Sequence, residues 1–153
     1  MQLVAFRLND EEYGVEILET QEIIEMQRIT KIPNAPNFVE GIISLRGEII
    51  PIIDLRKRFN LDISNEEEQR IIIVETEGNK VGMIVDEVKE VLSISKDTVK
   101  PPPKIAGGIN KKYLEGVTKI DDKLLVLLNL TKILDPEEIK EMEKIDLDKE
   151  KLN

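Results

Sequence analysis

Any acid or base chemistry in this chain falls mainly to its carboxylates, because it has no histidine and no cysteine. The acids close enough in sequence to act together are Glu19 with Glu22, and Asp86 with Glu87 and Glu90; Asp54 is a further candidate base. Glu19 and Glu22, like Glu87 and Glu90, are three apart, a spacing that places both on one face of a helical turn. As a metal site they lack the alternating acidic loop with its glycine that calcium uses. As an acid and base set they lack a second reactive group and an oxyanion donor. A solvated acidic face is therefore the better reading, with a carboxylate-dependent enzyme using Asp54, Asp86 or Glu90 as the competing one. Triads built on imidazole or thiolate, and zinc-dependent hydrolysis, are excluded. The other residue suited to chemistry is Arg46, beside Gly47, whose fixed planar charge matches a carboxylate partner.

What positions these residues is a duplication. Residues 38–59 lie without a gap over residues 113–134, with Glu40/Glu115, Gly41/Gly116, Leu55/Leu130 and Lys57/Lys132 identical. Upstream, at a slightly shorter spacing, Gly14 falls on Gly82, Glu19 on Glu87, Glu22 on Glu90, Ile23 on Val91 and Pro33 on Pro101. A repeat this long predicts two similar lobes. It also supplies an internal control, since whatever one copy has and the other lacks is not needed merely to build a lobe. The largest contrast is Arg46-Gly47 against Asp121-Asp122. Arg46 is thus expected to be a contact residue rather than a turn former.

Short strands dominate the pattern: alternating apolar runs at residues 3–8, 41–45, 48–53, 70–75, 80–85, 88–95 and 116–130, broken by polar or glycine turns. Residues 17–26 fit neither period and are expected to form a short helical turn followed by a strand. Arg46-Gly47 is a two-residue hairpin turn with a positive φ at the glycine. Pro51 suggests an edge strand or a bulge. Asp54 is placed to cap a short helix over residues 55–59. Residues 135–138, Asp-Pro-Glu-Glu, open a terminal helix with an apolar stripe at Ile139, Met142 and Ile145. Residues 62–69 form an acidic linker. The expected fold is all-β: two tandem SH3-like barrels of about five strands each, and a short C-terminal helix over residues 136–145. Lobe one is expected at about residues 13–65 and lobe two at about 66–135, the N-terminal strand 2–8 being a piece that could complete the second.

At 153 residues the chain is one domain or two small lobes. A net charge of −9 argues against nucleic acid or an anionic membrane surface as the main partner. No apolar run approaches the roughly 18 residues of a spanning helix, and the start does not read as a signal peptide. A cytoplasmic protein is expected. No cofactor or metal is expected either. Val88 and Val91 are an odd number of residues apart, so a regular strand would turn at least one outward, as an interface residue would be. In the loop at 100–108, Ile105 is an apolar residue among polar and flexible ones that either plugs a lobe or meets a partner.

The run Gly41-Ile42-Ile43-Ser44-Leu45-Arg46-Gly47-Glu48-Ile49-Ile50-Pro51-Ile52-Ile53-Asp54-Leu55-Arg56 strongly resembles the signature of the CheW family of bacterial chemotaxis coupling proteins. The resemblance extends to Glu11-Glu12-Tyr13-Gly14, to Val81-Gly82-Met83-Ile84-Val85-Asp86, to Pro101 and Pro103, and to Tyr113-Leu114-Glu115-Gly116. It implies a single CheW-like domain over residues 1–153, two five-stranded barrels with a groove between them, and no catalysis. It also implies an adaptor that couples the cytoplasmic tip of chemoreceptors to the regulatory domain of the histidine kinase CheA, recruited to membrane-associated arrays that also hold other adaptor copies. Carried over by position, Glu22, Arg46, Val88 and Val91 would bind the receptor, and Glu40, Lys100, Lys104 and Ile105 the kinase. Glu40 and Lys104 reverse the charges of a familiar member.

Overall fold

The computed structural model describes residues 1–63, 68–76, 78–102, 105–106 and 109–133. In chain order the strands are β1 (Gln2–Leu8), β2 (Glu11–Glu16), β3 (Thr20–Glu25), β4 (Val39–Leu45), β5 (Glu48–Asp54), β6 (Arg70–Thr76), β7 (Asn79–Val85), β8 (Glu87–Ser93), β9 (Ile105–Ala106), β10 (Ile109–Asn110), β11 (Leu114–Ile120) and β12 (Lys123–Leu128). Single helical turns, α1 (Leu55–Arg58) and α2 (Leu130–Ile133), follow β5 and β12. The chain is all-β. A 3-10 turn, Ile17–Glu19, leads into β3, so the ambiguous stretch is a turn and then a strand. Lys104 and the helix expected over residues 136–145 lie outside the described residues.

Ten of the strands form two five-stranded sheets, ordered β11-β12-β2-β1-β8 and β3-β6-β7-β5-β4. Sheet membership departs from the lobe boundary expected near residue 65. The chain begins in one sheet with β1 and β2, builds the whole of the other with β3 through β7, and returns for β8, β11 and β12. The reason lies in the cross-copy pairings. β1 of the first copy runs antiparallel to β8 of the second, with Val4 opposite Val91 and Phe6 opposite Val88. β6 of the second runs antiparallel to β3 of the first, with Ile72 opposite Ile23. The two copies have exchanged their leading hairpins.

Because of that exchange, both faces of the central strands are buried, and the period of two sorts their side chains between cores. Ile72, Val74, Met83 and Ile53 of one sheet meet Val4, Phe6, Tyr13 and Val126 of the other in a shared core. The alternate residues Ile71, Ile73, Ile52 and Ile84 fill one lobe. Leu3, Ala5, Leu125 and Leu127 fill the other. This accounts for the unbroken apolar run at residues 71–74.

Each sheet is drawn toward closure by the chain beyond its edge strand. After β3, Thr30 exchanges two backbone hydrogen bonds of 2.9 Å with Ile42 of β4. After β8, Lys100 does the same with Val117 of β11, at 2.8 and 2.9 Å. The close approach is what the repeated Glu-Gly pair serves. Register shifts place Glu40 and Glu115 as extra residues in their strands. A β-carbon on Gly41, whose φ is +147°, would lie 2.1 Å from the Thr30 carbonyl oxygen, and one on Gly116 would lie 2.8 Å from that of Lys100. Pro51 sits neither at an edge nor in a bulge. It is interior to β5 opposite Ile42 and is tolerated because the parallel pairing of β5 with β7 starts only at Ile52.

Tyr13 stands in the shared core, stacked on Phe6 at 6.2 Å, with its hydroxyl buried and without a hydrogen-bond partner. Burial, with Glu11 adding to it, pushes the phenol from 10.0 up to about 12. A raised pKa favours the neutral form in the folded state, so its contribution is intact below pH 10 and is lost as pH rises toward about 12. Tyr13→Phe removes an unsatisfied polar group; it is expected to leave stability at pH 7 unchanged or raise it by about 1 kcal/mol, and to flatten the alkaline decline. Thermal melts of both proteins at pH 7 and at alkaline pH measure both effects, and a destabilised variant at pH 7 contradicts the assignment.

Candidate partner-binding surface

Arg46 and Gly47 form the tip of the β4-β5 hairpin, and both take positive φ, +49° and +84°. The expectation placed only the glycine there. Asp121 and Asp122 make the equivalent tip of β11 and β12, at +47° and +67°. A type I′ turn demands this of both central residues, and its twist matches that of the strands. Aspartate tolerates the left-handed region better than most side chains, whereas arginine gains nothing there and bears a cost of order 1–2 kcal/mol. The turn is thus built in spite of Arg46, which is consistent with a side chain retained for what it touches.

What it touches is Glu22. Arg46 Nη2 donates to Glu22 Oε2 at 2.5 Å, with the arginine side chain 68 % exposed. Glu22 lies on β3 rather than on a helical turn, and Glu87 and Glu90 lie on β8, so the shared helical faces read from their spacing do not form. A second ion pair, Lys80 with Glu48 at 3.1 Å, stands nearby. The two pairs rim a recess of about 190 Å³ that Ile50 and Ile73 also line. Such exposed pairs contribute little to stability, commonly under about 1 kcal/mol. They leave charge of both signs at the rim of the recess.

Val88 and Val91 occupy β8, the edge strand of the other sheet. Between them the register shifts, so that Phe6 faces Val88 and Val4 faces Val91. The bulge cancels the odd spacing, and both valines lie on the side of the shared core. Val88 packs against that core, whereas Val91 is 52 % exposed. Ile23, on the matching edge strand β3, is 41 % exposed and faces Ile72 of the same core. Ile23 was not among the expected site residues. The signal existed, because the repeat aligns it with Val91.

Glu40, the bulge residue of β4, is ion-paired with Lys57. Lys100 has an exposed side chain beside β11, the strand equivalent to β4. The backbone of Ile105 begins the short β9-β10 hairpin. The described residues thus place Glu40 and Lys100 at corresponding edges of different sheets, and neither beside the Arg46 tip.

The acids read as a solvated set separate. Asp86 is fully buried. Arg56 Nη1 donates to its Oδ1 at 2.9 Å, and the backbone amide of Asn9 donates to its Oδ2 at 2.7 Å. Arg56 also donates through Nε and Nη2 to Asp54, at 2.9 and 2.8 Å, while Asp54 caps α1 by accepting from the Arg56 amide. Burial opposes the guanidinium charge, but the two carboxylates outweigh it and hold Arg56 above the ordinary arginine value. Two of the three candidate bases are therefore already engaged by a cation. Glu87 accepts from Arg7, whose hydrogen bond draws its carboxyl below the usual range. Burial, with repulsion from Glu16, raises Glu19 and Glu115, and Glu115 raises Glu19 further.

Two five-stranded sheets with a shared core, a polar hairpin tip and half-exposed apolar edge strands make a scaffold in outline only; its class, that of the chemotaxis scaffold proteins, follows from comparison with known proteins. Residues 2–138 match the CheW-like domain family. The chemotaxis protein CheW of Treponema pallidum (strain Nichols) is 37% identical over 146 residues, covering 92% of this chain and 86% of that protein. That of Klebsiella aerogenes is 37% identical over 139 residues, covering 90% and 84%. The crystal structure of the scaffolding protein TtCheW from Thermoanaerobacter tengcongensis superposes with a TM-score of 0.83 at 42% identity, covering 90% of this chain and 89% of that one. The chain belongs to the CheW-like family.

The positive φ of Arg46 lets the cost of the tip be measured apart from any contact it makes. Arg46→Asn is expected to raise stability by about 0.5–1 kcal/mol while weakening partner binding. Denaturant unfolding and a binding titration on one preparation test both; a less stable variant contradicts the strain argument.

Proposed function

We propose that this chain is a non-catalytic adaptor that couples the cytoplasmic tips of chemoreceptors to the regulatory domain of the histidine kinase CheA. The observation that carries the reading is Arg46: an arginine held in an unfavourable backbone conformation, paired with Glu22 at a rigid tip, and absent from the equivalent tip of the second copy. Arg46 and Glu22 orient a receptor helix by charge, and Val91, with Val88 behind it, offers the apolar contact. A few apolar anchors within a polar rim suffice for a specific interface. Glu40, Lys100, Lys104 and Ile105 serve the kinase side, where the corresponding strand edges suit end-to-end association with homologous lobes and with other adaptor copies. Asp54 and Asp86 act in structure rather than as bases, since Arg56 engages both. The adaptor works in the cytoplasm, recruited to receptor arrays at the membrane, with neither nucleic acid nor a cofactor. Among the described residues no helix is long and apolar enough to cross a membrane.

Titration with a receptor signalling fragment is expected to show Arg46→Glu binding at least about tenfold more weakly, the loss of one charged anchor, with an unchanged melting profile. Unchanged affinity removes Arg46 from the site. Ile105→Asp is expected to weaken binding of the kinase regulatory domain and to spare receptor binding. Equal loss of both indicates misfolding and contradicts a dedicated kinase surface.

A further inference from the structure

The chain passes between its two sheets at duplication-related crossovers, and the two are built differently. The first, from β2 to β3, is the 3-10 turn Ile17–Glu19, which has no side-chain cap and carries Leu18 at 89 % exposure. Glu16 and Glu19 bring like charge to it, and Glu115 of β11 faces them. The second, from β7 to β8, is the single residue Asp86. Its amide donates to the Arg7 carbonyl at 3.0 Å, and its carboxylate binds Arg56 and the Asn9 amide. Arg7 reaches across to Glu87, at 3.2 Å, and to the Asn9 carbonyl, at 2.5 Å. Three elements thus meet at one buried carboxylate: the β1-β2 turn of one sheet, α1 after β5 of the other, and the connection between the sheets.

The internal control applies here as it did to Arg46. Leu18 stands at the position of Asp86, Asn129 at that of Asp54 and Thr131 at that of Arg56. A lobe therefore forms without the triad. A buried ion network is also weak support for stability, because desolvation offsets much of the attraction; its best-attested use is to specify one arrangement among several. An apolar core alone permits sliding, whereas a bidentate arginine with a second carboxylate accepts one geometry.

We infer that Asp54, Arg56 and Asp86 form a lock at the second crossover that fixes the orientation of the two sheets, leaving the first crossover as the compliant joint. Arg56 is then a positioning residue. It holds the Arg46 tip on one sheet at a set distance and angle from the β8 edge on the other. The inference concerns the mechanics of the chain and stands whether or not the receptor reading does.

The absence of cysteine permits clean labelling. Cysteines at Ser44 and Lys119, exposed residues at equivalent places on β4 and β11, carry spin labels for distance measurement. The parent is expected to give one narrow distance distribution, and Arg56→Met, which keeps the apolar stem, a broader and displaced one. Arg56→Lys should restore it in part. A folded Arg56→Met protein that keeps the parent distribution overturns the lock. Should that variant fail to fold, amide exchange in the unaltered protein decides the matter. The Asn9 and Asp86 amides are expected to exchange at least roughly a hundredfold more slowly than that of Thr20, whose bond to the Ile17 carbonyl closes the first crossover. Protection of Thr20 equal to or above that of Asn9 and Asp86 overturns the inference.

Discussion

The constraint on which everything else rests is the double burial of the central strands. Every residue of the run 71–74 points into a core, Ile71 and Ile73 into their own lobe and Ile72 and Val74 into the seam. A strand with no wet face must lie inside the molecule, with neighbours on both sides of the sheet. Exchange of the leading hairpins between the copies is what provides those neighbours. The seam is then a continuous core rather than an interface between finished domains. Two of the exposed apolar residues, Ile23 and Val91, are left on the edge strands where that seam opens.

The duplication also explains how one scaffold carries unlike surfaces. The bulge glutamates, the glycines that admit a crossing backbone and the type I′ tips recur because closure of each sheet needs them. Departures from the repeat then mark where the two lobes differ in chemistry. Arg46 against Asp121 alters what a tip can bind; Asp86 against Leu18 alters how the lobes are joined. One is an exposed charge, which the proposed function assigns to recognition; the other is a buried charge, which the proposed lock assigns to geometry.

Much of this was legible in the residues. Period-two alternation located the strands, and the repeat predicted two similar lobes and singled out Arg46. What escaped had a common cause, which is that pairing partners lie far apart in sequence. The N-terminal strand reads as a piece that could complete the second lobe, but nothing local tells β2 to go with it, or β6 and β7 to join β3 through β5 instead of their own copy. The odd spacing of Val88 and Val91 argued for opposite faces, and only the bulge against Ala5 and Phe6 reverses that. Asp86 looked like one more acid in an acidic run, since its partner Arg56 lies on another element thirty residues away. The contrast among Asn129, Thr131 and Leu18 could have raised the question, but not the answer.

The order in which the sheets are completed has a consequence for biosynthesis. The sheet formed by β3 through β7 is continuous in the chain and can close as soon as Val85 has left the ribosome. The other sheet cannot. Its first strands emerge before β3, yet Met1 finds its partner at Ile94, and β2 waits for β12. The apolar β1-β2 hairpin is therefore left without its sheet while β3 through β7 are made, a period when strand edges are open to aggregation. The charges along the turn, Asp10, Glu11 and Glu12, are well placed to keep that waiting hairpin soluble.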